Sequence, residues 1–343
     1  MRKLLRIWLA LLTLFLPSRA GLSAQDKECL HLVQTIPMPN VKGRIDHMDV
    51  DVKDKRLFVA GLENGSLEVV DLQAGKWSKR LPGFKKPQGV AYVPSLNKVF
   101  VASGDHGMLS VFRGDTLEPL DTIKLDIGPN RVAYDPNTQF LYVGYGGKDA
   151  GKDYGEIGII DAKTDRHLGD VKVEAHPAEL LLDNTGKALF VFLSTANKVQ
   201  VIDTKMRQVV STWPVSSQRS GDGAFDEKSR RLFIGTRTPP QMIVMDSHNG
   251  KEVAKLPTVE GMDGVYFDAA HQRVYVSGGR DYDVGSVFVY QRRDADHYEP
   301  IGQIPTRSGA GTSFWSPGLN RYYVAAPANE KEEAAILVFE PLP

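Results

Sequence analysis

The sequence predicts an all-β protein, a seven-bladed β-propeller of four-stranded blades closed by an N-terminal strand that completes blade seven. Three observations predict it: a four-strand unit in mid-chain, its recurrence at near-constant spacing, and complementary overhangs at the two ends. The clearest unit starts at Ala178, with apolar runs at 179–183, 188–193, 199–203 and 208–213. Turn residues such as Asn184, Gly186, Ser194 and Asn197 separate them. Short runs rich in Val, Ile, Leu and Phe between such residues read as strands rather than helices.

The second strand recurs as Leu57-Phe58-Val59-Ala60, Val99-Phe100-Val101-Ala102, Leu141-Tyr142-Val143-Gly144 and Leu189-Phe190-Val191-Phe192. It continues as Leu232-Phe233-Ile234-Gly235, Val274-Tyr275-Val276-Ser277 and Tyr322-Tyr323-Val324-Ala325. Successive copies start 42 to 48 residues apart, the spacing of propeller blades. The third strand recurs too, ending in Asp at Asp71, Asp161, Asp203 and Asp246, where a carboxylate suits a hairpin turn. The seventh unit stops after its third strand, near Phe339-Glu340. The run Leu32-Val33-Gln34-Thr35-Ile36 at the other end supplies the missing fourth. A ring closed in this way protects the edge of its last blade.

Residues 1–24 read as a signal peptide. Arg2, Lys3 and Arg6 precede an apolar run from Ile7 to Leu16, and small residues place cleavage after Ala20 or Ala24. The expected mature chain, 25–343, is a single propeller domain, periplasmic or secreted, with no membrane span after cleavage, and a monomer. Of 42 basic residues, Arg2, Lys3, Arg6 and Arg19 fall in the leader, leaving 38 against 42 acidic. That balance does not suit a nucleic-acid-binding protein. Cys29 is the only cysteine, which excludes an intrachain disulfide, a Cys-x-x-Cys-His haem site and a cysteine zinc site.

The motifs Pro129-Asn130-Arg131-Val132-Ala133, Leu141-Tyr142-Val143 and Val199-Gln200-Val201-Ile202-Asp203 resemble the YVTN-repeat (YncE-like) β-propeller family, a WD40-like repeat architecture. The resemblance covers all seven units, from about Leu30 to Phe339. It implies an exported propeller. The same broad fold includes lactonases, streptogramin lyases and large subunits of quinoprotein amine dehydrogenases.

In a propeller the first strand of each blade lines the central channel. Residue pairs entering these strands are Asp46-His47, Gln88-Gly89, Asn130-Arg131, Ala178-Glu179, Gly221-Asp222, Asp263-Gly264 and Gly311-Thr312. Beside them stand Arg44, Lys86, His176, Arg219 and Arg307 on inter-blade loops, with Arg237 and Arg280-Asp281 on strand two–three loops. The candidate ligand-binding set is Arg44, Asp46, His47, Gln88, Asn130, Arg131, His176, Glu179, Asp222 and Asp263. Arg131 and His47 rank first. The seven equivalent positions differ in charge and size, which suits an asymmetric ligand, with Arg131 giving charged donors and His47 a pH-tunable one.

No catalytic residue or metal ligand is assigned. The leading expectation is a non-enzymatic propeller binding a small ligand or a protein partner at this face. The alternative is a lactonase-like hydrolase or lyase with a divalent metal such as calcium, ligated by channel oxygens, with His47 or His176 as base. No Gly-x-Ser-x-Gly elbow or phosphate loop is present. Gly146-Gly147 and Gly278-Gly279 open the two strand two–three loops expected to be longest, and 148–154 is a candidate lid. On the opposite face Lys53, Lys55, Arg56, Lys187, Lys228, Arg230, Arg231 and Arg273 read as solvating turn residues, without the interleaved aromatics that nucleic-acid binding needs.

Overall fold

The computed structural model describes residues 29–343, so the expected leader and its cleavage sites lie outside the described residues. The described chain forms seven four-stranded antiparallel sheets, ordered as the repeat predicts. Blade one holds Met48–Asp51, Arg56–Gly61, Ser66–Asp71 and Lys76–Pro82. Blade four, the template unit, holds Pro177–Leu182, Ala188–Leu193, Lys198–Asp203 and Gln208–Pro214. The remaining inner strands are Pro87–Val93, Val132–Asp135, Gln218–Asp226, Gly264–Asp268 and Ser313–Ser316. No helix among the described residues is long and apolar enough to cross a membrane.

The second strands are apolar without alternation because both of their faces are packed. Leu57, Phe58, Val59 and Ala60 are all fully buried. Leu57 and Val59 point into a cluster with Tyr323, Ala325 and Val338 of blade seven. Phe58 and Ala60 point into one with Val90, Val99 and Val101 of blade two. Alternate residues thus serve opposite neighbours, and a strand buried on both faces needs no polar positions.

Closure follows the predicted route. Leu30–Pro37 pairs antiparallel with Ala335–Pro341, with Leu30 opposite Pro341 and Pro37 opposite Ala335. Its fidelity as a fourth strand shows in a bulge. Each blade shifts register between strands three and four, as at Val69/Val70 in blade one and Val201/Ile202 in blade four. Blade seven carries the same shift, between Leu32 and Gln34. Such bulges raise the local twist and blunt an outer edge. They also account for three exposed aliphatic residues: Val33, Leu120 and Val210 are the extra residues at their bulges.

Aspartates do recurrent work in the turns. Asp71, Asp161, Asp203 and Asp246 accept backbone N–H bonds from the turns after strand three. Asp51, Asp135, Asp226 and Asp268 do the same after strand one. These are Asx-type turns.

The basic face departs from the sequence expectation. Arg56, Arg231 and Arg273 are not mere solvating residues but ties between blades. Arg56 donates to Gly114 O of blade two (2.7 Å) and Arg231 to Asp296 of blade six (2.8 Å). Lys98 repeats the device, donating to Ala162 O (3.0 Å) and Asp165 of blade three. Arg273 is buried and donates to Cys29 O (3.3 Å) and Leu342 O, gripping both ends of the closing blade.

Deleting Leu30–Pro37 lowers the melting temperature by ~10 °C or more and promotes self-association through the exposed edge, read by calorimetry and light scattering. An unchanged midpoint in a monomeric truncation would show that the ring closes otherwise. Arg273→Ala, which leaves the Cys29 and Leu342 carbonyls without their donor, costs about 2 kcal/mol in urea unfolding.

Candidate functional site

The seven inner strands bring their entry residues together across the channel as a layer of ion pairs. Arg131 contacts Glu179 (2.7 Å) and Asp222. Asp263 receives three guanidinium groups, from Arg237, Arg280 (3.4 Å) and Arg44 (3.6 Å). Arg44 also reaches Asp46 (3.4 Å). His47 Nε2 lies 3.2 Å from Asn130 Oδ1 and 3.5 Å from Asp46. Glu179 further accepts the N–H groups of Leu180 (2.8 Å) and Gly223 (3.3 Å). Thr312 donates to Asp263 (3.3 Å) and to Ile45 O (3.1 Å).

The charges balance. Four arginines (Arg44, Arg131, Arg237, Arg280) meet four carboxylates (Asp46, Glu179, Asp222, Asp263). Burial opposes the Arg131 charge, but Glu179 and neighbouring carboxylates outweigh it and hold the guanidinium firmly protonated. Burial raises the Glu179 carboxyl above its usual range despite Arg131. Burial, reinforced by Arg131 and Arg44, drives His47 well below the usual histidine range. The expected pH-tunable donor is therefore a neutral imidazole at physiological pH.

Of the candidate residues, Arg44, His47, Gln88, Asn130, Asp222 and Asp263 line a mouth cavity of about 130 Å³ above the layer. Arg131 and Glu179, with His47 again, line a second chamber beneath it. Asp46 is buried beside Arg44 and His47. His176 stands apart from both: its Nδ1 is 2.9 Å from Gly146 O, at the junction of blades three and four. Arg237 and Arg280 belong to the layer although their loop positions gave them no special standing. Asp49 and Tyr266, deeper on the inner strands, were also outside the candidate set. The alternation in Met48-Asp49-Val50-Asp51 was the available signal, since Asp49 occupies a channel-facing position.

The candidate lid is fastened. Lys152 pairs with Asp126 (2.7 Å) and Glu156 (2.8 Å), and Gly147 N donates to Tyr154 O (2.8 Å). The loop 327–334 of blade seven matches it in length, so the expected pair of long loops is a trio.

The layer does not fit the calcium site of the hydrolase alternative. Calcium takes six to eight oxygens, and here each carboxylate faces arginine. Among the described residues no group of three or more His, Cys, Asp or Glu is placed to hold a metal ion.

Replacing Arg131 by Met tests the layer. It leaves Glu179 and Asp222 buried without their cation, at a cost of ~3–5 kcal/mol at pH 7.5 in urea unfolding. A carboxyl whose folded pKa lies above its unfolded one takes up protons first in the folded state. The deficit against the parent therefore narrows as pH falls towards 5. A cost independent of pH would mean that the pairing is not what Arg131 contributes.

No protein-family profile and no curated protein matches the sequence. Solved structures do. A chain of Kuenenia stuttgartiensis hydrazine synthase superposes with a TM-score of 0.72 at 18% identity, covering 83% of this chain and 94% of that one. A chain of the mitotic checkpoint complex gives 0.76 at 13% identity, covering 99% and 100%. At these identities the likeness is one of fold: the chain is a seven-bladed β-propeller.

Proposed function

We propose that the chain is an exported propeller of the YVTN-repeat type that binds a protein partner across its channel-mouth face and has no catalytic role of its own. The observation that carries this is the loop 279–285 of blade six. It presents Tyr282 (45% exposed) and Val284 (69% exposed) beside a groove of about 470 Å³ that also includes Val259 and Phe288. The same face holds a groove of about 700 Å³ between blades one and two, with Phe84 among Lys85, Lys86 and Glu63. An aromatic and an aliphatic anchor within a mixed-charge rim is the make-up of a protein interface.

Size argues against a small ligand at the mouth. Its cavity of about 130 Å³ has room for about four waters at ~30 Å³ each, whereas ligand pockets run ~300–1,000 Å³. The hydrolase alternative lacks its metal ligands, since the channel carboxylates are engaged by arginine. The repeat motifs support the YVTN-type assignment, the basic-then-apolar N-terminus supports export, and the likeness to a chain of the mitotic checkpoint complex fits a fold used in assemblies.

A photo-crosslinking residue at position 282, compared with one at Lys228 on the opposite face, tests the reading in the native host. Position 282 is expected to capture one extracytoplasmic protein that position 228 does not. The double variant Tyr282→Ser, Val284→Ser should lose that partner with its stability within about 0.5 kcal/mol of the parent. Equal capture at both positions would overturn the proposal. So would a metabolite whose stabilising thermal shift disappears on Arg280→Ala, which would return the mouth to a small-ligand site.

A further inference from the structure

Beneath the ion-pair layer the channel opens into a chamber of about 240 Å³. Part of its wall is apolar, with Val90, Ala133 and Leu181 on one side and the rings of Tyr266 and Phe314 on another, while His47, Arg131 and Glu179 of the ion layer form its polar end. The two rings meet edge to face, centroids 6.2 Å apart at 77°. Into this chamber faces one carboxylate outside the balanced layer, Asp49.

Asp49 accepts the N–H groups of Val50 (2.8 Å) and Tyr92 (2.7 Å). Among the described residues no cation pairs with it. The contrast with the layer above is sharp, because every carboxylate there faces an arginine. The other ionisable groups lining the chamber are accounted for: Arg131 is matched by Glu179 and Asp222, His47 is neutral, and the Tyr266 hydroxyl donates to Ser313 O (2.9 Å). Burial raises the Asp49 carboxyl to about 6, so it is largely ionised at neutral pH and above. A part-buried, ionised carboxylate beside apolar side chains and with no ion-pair partner is unfavourable. A cation with an apolar body relieves that cost, while aromatic faces add their own attraction for positive charge.

We propose that this chamber binds a small organic monocation, an alkylammonium or quaternary ammonium ion, with its charge against Asp49 and its alkyl groups against Tyr266 and Phe314. The chamber's volume sets the size class: it holds the equivalent of about eight waters, below the range of drug-sized pockets. The ion layer closes the mouth side, so the ligand enters from the end carrying the strand one–two turns. This site is independent of the partner-binding face and stands or falls separately from it.

Calorimetric titration of the purified protein at pH 8 with tetramethylammonium, choline and n-butylammonium chlorides tests it, with sodium chloride at equal ionic strength as reference. At least one organic cation is expected to bind saturably, one per chain. Asp49→Asn should weaken that binding at least ten-fold, and lowering the pH to 5 should weaken it roughly ten-fold as Asp49 protonates. Lys124→Ala, on the exposed outer strand of blade two, should leave it unchanged. Asp49→Asn keeps only one of the two backbone hydrogen bonds, because the two carboxylate oxygens accept Val50 N and Tyr92 N separately, so its melting point is measured beside its binding. Should that variant fail to fold, Leu181→Trp, which fills the chamber, must abolish binding in its place. No saturable binding by any of the three cations would overturn the proposal, as would binding matched by sodium or retained in Asp49→Asn.

Discussion

Closure of the ring is the constraint on which everything else depends. A single blade of this chain leaves apolar surface uncovered, because its second strand is apolar on both faces. Leu57 and Val59 need blade seven, and Phe58 and Ala60 need blade two. Each blade is therefore completed by two neighbours, and the two ends of the chain must meet. The pairing of Leu30–Pro37 with Ala335–Pro341 makes them meet, and Arg273 secures the junction from the adjoining blade. Hydrogen bonding along one strand pair thus carries the packing of the whole ring.

Closure also creates the ion layer. Seven inner strands converging on one axis leave a channel that must be filled with side chains or solvated. The chain fills it at one level with long, charged residues. An arginine from one blade reaches carboxylates on others, as Arg131 does with Glu179 and Asp222. Desolvation makes such a layer a poor source of net stability, but it makes it intolerant of disruption, because removing one member strands its partners. The layer divides the axis into a small polar mouth and a larger chamber walled in part by apolar and aromatic side chains, so the two ends of the channel offer different chemistry.

The fold was legible in the sequence almost residue by residue, because strand repeats and turn aspartates are local signals. Blade four begins and ends within two residues of its predicted bounds at each strand. The N-terminal complement was legible for the same reason: a missing strand and a spare one are both visible in the text. The channel set was legible as a location, since strand alignment names the entry positions. Its pairing was not. Which arginine meets which carboxylate depends on side-chain reach across the axis, and so does the burial that makes His47 neutral. The ties made by Arg56, Lys98 and Arg231 escaped notice because a turn lysine or arginine looks the same whether it meets water or the next blade's carbonyls.

Asymmetry among equivalent positions deserves a different weight once the pairing is known. His47, Gly89, Arg131, Glu179, Asp222, Gly264 and Thr312 differ in charge and size, which on the sequence alone suits an asymmetric ligand. An ion layer demands the same variety. Seven identical charges around one axis would repel, so a neutral layer must place cations and anions on different blades, with small residues where the long side chains pass. Variation that resolves into mutual pairing is thus explained by the fold. Variation that does not resolve is the better guide to function. Asp49 is such a residue, a carboxylate with no ion-pair partner whose hydrogen bonds come from backbone amides. Tyr282 and Val284 are another, apolar side chains held out on a loop where nothing in the ring needs them.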